Sequence, residues 1–302
     1  MNSVSIVIPV RDGKDFIGEA VESALDQGEA VGQVIVIDDG SSDGTPDIVT
    51  RIADPRVRLV TDRPSRRGVS AARNDGAALA EGEWLMFLDA DDRLQPGAID
   101  ALLGQAQPEA VAIYGDYERI GAAGQVLGKR GLMRGTRTKP SGDIAEALLA
   151  GNFIVNGGIM IVRRYAFNAM GGFDEALRYC EDWHAWCRLA VQGAFTYVPV
   201  HVLDYRVYDQ SVMMTRPLTE VEYGPALEKL FSNPEVVAAI PVARRENLRR
   251  RAGAHLIAYA ISQAIRARRF GLAAKGLART LFDNPREFPR TLLVSGAALA
   301  GI

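Results

Sequence analysis

The chain has 302 residues, 48% of them hydrophobic, enough to fill one large α/β domain or a domain with an appended subdomain, which excludes a disordered or fibrous protein. Its apolar runs fall far short of the roughly 20 residues that cross a bilayer, and the N-terminus enters a strand pattern with no basic leader, so a cytoplasmic protein is expected. Net charge is only −2 but uneven: from Pro241 onward 12 Lys and Arg face 3 Asp and Glu, leaving 23 against 34 before it, an acidic body with a basic tail.

Residues 4–10, VSIVIPV, read as a buried strand, and Phe16, Ile17, Ala20, Val21, Ala24 and Leu25 then recur at helical spacing. QVIVID (33–38) gives a second strand, after which Thr45 offers an N-cap and Pro46 a first-turn proline for a helix to about Ile52. VRLVT (57–61) is a third strand, Val69 to Ala80 a helix of small residues, and WLMFL (84–88) a fourth strand. This alternation predicts a mainly parallel, Rossmann-like sheet flanked by helices, whose ligands gather at the carboxyl ends of the strands. A helix at 96–105, a strand at 110–117, a Gly-rich basic loop or hairpin at 121–140 and a strand at 159–162 follow. An aromatic-rich helix, Glu181–Val191, leads to strands at 195–200 and 203–208, and from Glu220 the pattern is helical with interleaved arginines. Cys180 and Cys187 would lie about 10 Å apart on one helix, beyond disulfide reach, which suits a reducing compartment.

Asp38 and Asp39 close the second strand, and Asp89-Ala90-Asp91-Asp92 follow the fourth, so both acidic groups fall on one sheet edge. In extended backbone Asp89 and Asp91 point to the same side about 6.5 Å apart. A divalent cation, Mn²⁺ or Mg²⁺, suits such oxygens, with substrate phosphates completing its shell. The alternative is a solvated polar turn that caps the next helix. After the first strand, Pro9-Val10-Arg11-Asp12-Gly13-Lys14 lacks the dinucleotide glycine fingerprint and no Walker lysine loop occurs, so a nucleotide diphosphate would be held through a metal. His184, His201 and His255 have no metal-site spacing. Glu181 and Asp182 begin a helix, where they are either a capping pair or a base beside a cleft.

Taken in order, VSIVIPVRDG, IVIDDGSSDGT, GVSAARNDGAALAEGEWLMFLDADD, GGFDEAL and YCEDWHAWCRLA resemble the family 2 glycosyltransferases over about residues 4–210. The resemblance implies a GT-A fold and inverting transfer from a nucleotide-sugar donor. It places Asp39 on the nucleobase, with Pro9, Arg11 and Arg73 near the donor, and Asp89, Ala90 and Asp91 at the ribose and metal. Asp91 and Asp92 would bind the metal, and Asp182 would be the catalytic base. Glu181, Trp183 and Gly172 would be acceptor-side or supporting residues, with Trp183 and Trp186 divided between an acceptor floor and the core. Arg206 or Gln210 would approach the diphosphate. Arg11-Asp12 replaces the aromatic-Asn pair of many members, so the planar Arg11 guanidinium would stack on the base, UDP being the expected donor and dTDP or GDP remaining open.

Chemistry supports the same base. A sugar hydroxyl is a very weak acid, so its attack on an anomeric carbon needs a carboxylate to take the proton as the bond forms. A cation on the diphosphate offsets the leaving group's charge.

These readings predict a catalytic domain at 1–215, with a donor half to about 115 and an acceptor half from about 116, followed by a basic helical extension at 216–302. The function expected is a metal-dependent inverting glycosyltransferase that moves a sugar, UDP-linked above all, to a hydroxyl of a glycan or lipid-linked acceptor in polysaccharide biosynthesis. A sugar-nucleotide nucleotidyltransferase is a rival, but its Gly-rich basic loop is poorly matched at Arg11–Lys14. A non-catalytic sugar-nucleotide-binding subunit of a synthase assembly is another. The tail would cover the acidic body, or its arginine-rich stretch at 244–270 would touch anionic lipid at the inner membrane face. Nucleic acid is not expected, since no aromatic-basic platform accompanies the charge.

Overall fold

The computed structural model describes residues 3–62, 64, 66–127, 139–208, 219–283 and 285–299. Strand β1 (Val4–Val10) is buried along its whole length and pairs in parallel with β2 (Val31–Asp38) and β4 (Trp84–Phe87); β3 (Val57–Val60) joins β2. Helices α1 (Ile17–Leu25), α2 (Thr45–Thr50) and α3 (Val69–Leu79) are the crossovers of this half. α3 comes close because Gly76 carries no side chain: a Cβ there would lie 2.3 Å from Val7 Cγ1. The other half contains β5 (Arg93–Leu94), α4 (Ala98–Leu103), β6 (Ala110–Ile120), α5 (Ala145–Ala150), β7 (Met160–Arg163), α6 (Arg164–Ala169), α7 (Glu181–Ala190) and β8 (Ala194–Arg206).

The eight strands form one sheet in the order β3-β2-β1-β4-β7-β6-β8-β5, with β7 and β5 running against the other six. The sheet is therefore mixed but mainly parallel, and β1, β2 and β4 end on one edge. Where sequence pattern gave two strands near residues 195–208, the chain makes the single long β8, whose register against β6 shifts three times. Such irregularities break the alternation that marks a strand. Of the loop expected at 121–140, Gly121 to Leu127 folds back on β6 as a tight hairpin, with Leu127 N donating to Arg119 O at 2.8 Å, and 128–138 lies outside the described residues.

Helices α8 (Glu220–Ser232), α9 (Pro234–Ala239), α10 (Val242–Arg266), α11 (Phe270–Asp283) and α12 (Phe288–Leu299) follow. α8 to α10 belong to the main core, to which they contribute Tyr223, Leu230, Val236, Leu248, Ala252 and Leu256. Arg244 pairs with Glu146 of α5 at 2.8 Å and Arg249 with Glu228 of α8, so much of the basic tail lies on acidic neighbours.

Candidate active site

Three loops meet where β1, β2 and β4 end. The turn after β1 is stitched to the turn after β2: Asp12 Oδ1 accepts from Ser42 N at 2.8 Å, and Lys14 N donates to Asp43 Oδ2 at 3.0 Å. Thr45, expected to cap α2, is instead its first residue, and Gly44 is the cap, in a left-handed conformation. The Thr45 hydroxyl is used elsewhere, accepting from Gly13 N at 2.9 Å and donating to Asp43 Oδ1 at 2.5 Å. This network sets the position of Arg11, whose exposed guanidinium lies 3.7 Å from Asp12. Pro9 is buried in β1.

Asp38 and Asp39 divide their work. Asp38 turns back to accept from Gly40 N and Ser41 N, closing its own turn. Asp39, 5% exposed, accepts from Arg67 N at 3.0 Å and Gly68 N at 2.9 Å, so it fixes the segment that leads into α3.

The Asp89–Asp92 segment is not extended. Asp92 N donates to Asp89 O at 3.1 Å, making a turn, so the same-side argument from strand geometry does not apply. The turn sends Asp92 inward, where it is 1% exposed and both carboxyl oxygens are occupied: Oδ1 accepts from Arg206 N and Oδ2 from the Asn156 amide, each at 2.7 Å. Burial, then Asp91 and Asp89, hold its carboxyl well above the usual range. Asp92 is thus an internal pin, and its expected place as a metal ligand is not supported by its surroundings. Asp91 stands at the tip with half-exposed Ala90. Burial and then the facing charge of Asp89 push Asp91 up to about 6, against the hydrogen bond from the Tyr208 hydroxyl.

Arg73 joins this cluster to α7. Only 5% exposed, it reaches Asp89 Oδ1 at 2.7 Å with one arm and Glu181 Oε1 at 3.0 Å with the other, and its guanidinium lies 5.3 Å from the Phe173 ring centre. Burial alone would lower the guanidinium, but Asp89 and Glu181 outweigh it and hold its pKa above the ordinary value. Its Nε, and the hydroxyl of Ser70 on the same helix, are buried without a protein partner. Asp182 follows Glu181 at the start of α7, where Cys180 adopts a left-handed backbone (φ 58°). A residue with a Cβ is strained there, which is common where geometry is over-determined. Burial first and Glu181 second push Asp182 up to about 7, with Trp183 N and Arg73 acting in the opposite direction.

The GGFDEAL loop docks on α3. Asn74 Oδ1 accepts from Phe173 N at 2.9 Å and Asn74 Nδ2 donates to Phe173 O at 3.0 Å. Gly172 is required there: φ is 73° and a Cβ would lie 2.5 Å from Asn74 Oδ1. Trp183 is 1% exposed and donates to Leu148 O at 2.7 Å, and Trp186 packs edge-on to Phe173. Both are core residues, so neither floors an acceptor site. Burial and Arg188 lower His184 to about 4, and His201 pairs with Asp204. Both cysteines are free.

Arg206, offered by sequence for the diphosphate, is 3% exposed and lies beneath the turn, donating to Asp91 O at 2.7 Å and Ala122 O at 2.8 Å and pairing with Glu19. Gln210 lies outside the described residues. Glu19, Asn156, Phe173 and Tyr208 were missed. Phe173 stood inside GGFDEAL and Tyr208 between Arg206 and Gln210 without a role of their own, while Glu19 and Asn156 lie in segments that carry no motif, and only tertiary contact makes them part of the site.

Among the described residues no three His, Cys, Asp or Glu side chains converge to bind a metal alone. The Asp91 carboxyl, raised by burial and by its like-charged neighbour, nevertheless suits a hard cation that takes one or two carboxylates and completes its shell with water and phosphate.

Comparison with known proteins bears on the family and the fold. Residues 5–171 match the profile described as Glycosyl transferase family 2. The succinoglycan biosynthesis protein ExoO of Rhizobium meliloti is 31% identical over 238 residues, covering 76% of this chain and 67% of that protein. A Campylobacter jejuni GalNAc(5)-diNAcBac-PP-undecaprenol beta-1,3-glucosyltransferase is 27% identical over 214 residues, with 70% and 66% coverage. Among solved structures, S. aureus TarS 1–349 in complex with UDP-GlcNAc superposes with a TM-score of 0.66 at 14% identity, covering 99% of this chain and 92% of that one.

Proposed function

Since this chain belongs to glycosyl transferase family 2, has the GT-A fold and is a glycosyltransferase of polysaccharide or glycan biosynthesis, we propose that it transfers a sugar with inversion from a UDP-sugar to a hydroxyl of a glycan or lipid-linked acceptor. The observation that carries the reading is the Arg73 fork, which ties Asp89 after β4 to Glu181, next to Asp182, a half-buried carboxyl pushed up to about 7. A base poised near the working pH is half ionised and still strong enough to accept a hydroxyl proton.

In the proposed reaction the acceptor oxygen attacks the anomeric carbon and its proton passes to Asp182. The carbon-oxygen bond to the diphosphate breaks on the opposite face, and the electron pair leaves with the nucleoside diphosphate. Asp39 and Arg11 orient the base, and Asp89 reaches the ribose while held by Arg73. Asp91 would hold Mn²⁺ or Mg²⁺, which when bound neutralises charge on the departing phosphates. Asp92 secures the turn from inside. The residues to about 115 form the donor half and those to about 215 the acceptor half. A UDP-sugar is supported by the TarS complex, and a lipid-linked acceptor by the name of the Campylobacter relative.

The test is Asp182→Asn assayed with a panel of nucleotide-sugars. Loss of about 10²–10⁴ in kcat with UDP affinity retained supports the assignment. Transfer at the wild-type rate overturns it.

A further inference from the structure

α11 and α12 both lean on α10; α11 packs Ala273 and half-buried Leu277 inward, yet both helices also bury hydroxyls and turn large apolar groups to water. A helix between core and water turns hydroxyls outward and large apolar groups inward. Here Thr280, Thr291 and Ser295 are at most 3% exposed, while Phe270 (58%), Leu281 (46%), Phe282 (81%), Leu292 (52%) and Leu293 (77%) face out. The buried hydroxyls need no partner from α10, because each donates to a carbonyl one turn back in its own helix: Thr280 to Gly276 O at 3.0 Å, Thr291 to Glu287 O at 3.1 Å and Ser295 to Thr291 O at 2.8 Å. At helical spacing Phe270, Ala274, Ala278, Leu281 and Phe282 fall within about a third of the circumference of α11. Single exposed apolar residues are ordinary, but several on each of two adjoining helices mark an interaction surface.

The charges at its margin select the partner. Arg268, Arg269, Lys275 and Arg286 are exposed around these helices. A second copy on a two-fold axis would bring this cationic rim against itself, whereas an anionic bilayer offers apolar depth and complementary headgroups. Among the described residues no helix is long and apolar enough to cross a membrane. α11 and α12, about 21 and 18 Å long, suit a position in the interfacial plane.

We propose that the outward faces of α11 and α12 form a monotopic docking surface for an anionic lipid bilayer. The lipid contact expected from sequence fell on residues 244–270, of which this surface keeps only Arg268, Arg269 and Phe270 at its edge and not the arginine clusters of α10. There Arg244, Arg249 and Arg250 pair with Glu146, Glu228 and Glu287. The proposal deepens the lipid-linked reading of the acceptor but rests on the helices alone, so its test needs no donor or acceptor.

The purified full chain is floated with vesicles of phosphatidylcholine alone, or of phosphatidylcholine with phosphatidylglycerol, at low and high salt. Wild type is expected to float with the anionic vesicles, less so at high salt. The Phe282→Ser/Leu293→Ser double variant is expected to lose about tenfold per substitution while keeping its circular dichroism and melting temperature. No flotation by the wild type, or equal flotation by the double variant, overturns the proposal. A dimer in sedimentation velocity that the double substitution dissolves, with no vesicle binding, also overturns it and assigns the face to a second copy.

Discussion

Replacing Arg73 with Met tests the joint between the two halves of the site. The guanidinium is 5% exposed and bridges Asp89 at 2.7 Å and Glu181 at 3.0 Å, whose side chains are 29% and 15% exposed. Methionine preserves most of the packing on Phe173 but leaves both carboxylates facing Asp91 and Asp182 without a cation. Breaking a buried pair from one side costs about 3–5 kcal/mol, and the residual exposure of Asp89 favours the lower end, about 3 kcal/mol. For a chain of 302 residues the unfolding entropy is about 630 cal/mol/K, so the melting temperature should fall by about 5 °C. Arg73 also favours the charged form of Asp182, which already titrates at about 7. Its removal should therefore move the ascending limb of the kcat profile to higher pH. Arg73→Lys should recover part of both effects, since one ammonium cannot fork between two carboxylates. Differential scanning calorimetry and kcat between about pH 5.5 and 9 measure the outcome. An unchanged melting temperature together with an unmoved limb would refute the joint.

In metal-free buffer, stability should fall as pH rises from about 4 to 7. Asp91 and Asp182 titrate at about 6 and 7 when folded but near the usual carboxylate range when unfolded, so over that window the folded state keeps protons that the unfolded state has lost. Below about pH 4 their contribution is constant, and urea melts of Asp91→Asn/Asp182→Asn should be flatter across the window. UDP with Mn²⁺ is expected to stabilise the wild type and chelator to reverse this, and Asp91→Ala should abolish the effect, while Asp92→Ala should cost about 1–3 kcal/mol of stability by leaving Asn156 and Arg206 N unpaired. If Asp92→Ala folds at wild-type stability, Asp92 is not the internal pin. Gly76→Ala should cost about 1–3 kcal/mol in a urea melt, because its Cβ would lie 2.3 Å from Val7 Cγ1.

The sequence determined by itself the strands β1, β2 and β4, the helix α7 and the gathering of their acidic ends on one edge. Those features are written in local apolar runs, and parallel topology follows from their alternation with helices. The same runs hid β5, which is 2 residues long, and α5 and α6, which are 6 each, since so few residues make too little of a periodic pattern.

Tertiary structure alone decided what each aspartate does. Asp91 and Asp92 are identical and adjacent in sequence, yet a turn leaves one at the cleft and sends the other to Asn156 and the Arg206 backbone, residues 64 and 114 positions away. Arg73 stood in the motif, but its double grip on Asp89 and Glu181, 108 positions further along, exists only once α3 and α7 have packed. The tail obeys the same distinction. Its charge was plain from composition, while which arginines meet acids and which helices turn Phe282 and Leu293 outward depended on how α10 to α12 lie together. Local pattern fixes an element's type and faces, whereas the partner of each face is a long-range contact, set by the loops that close it and by the charges buried with it.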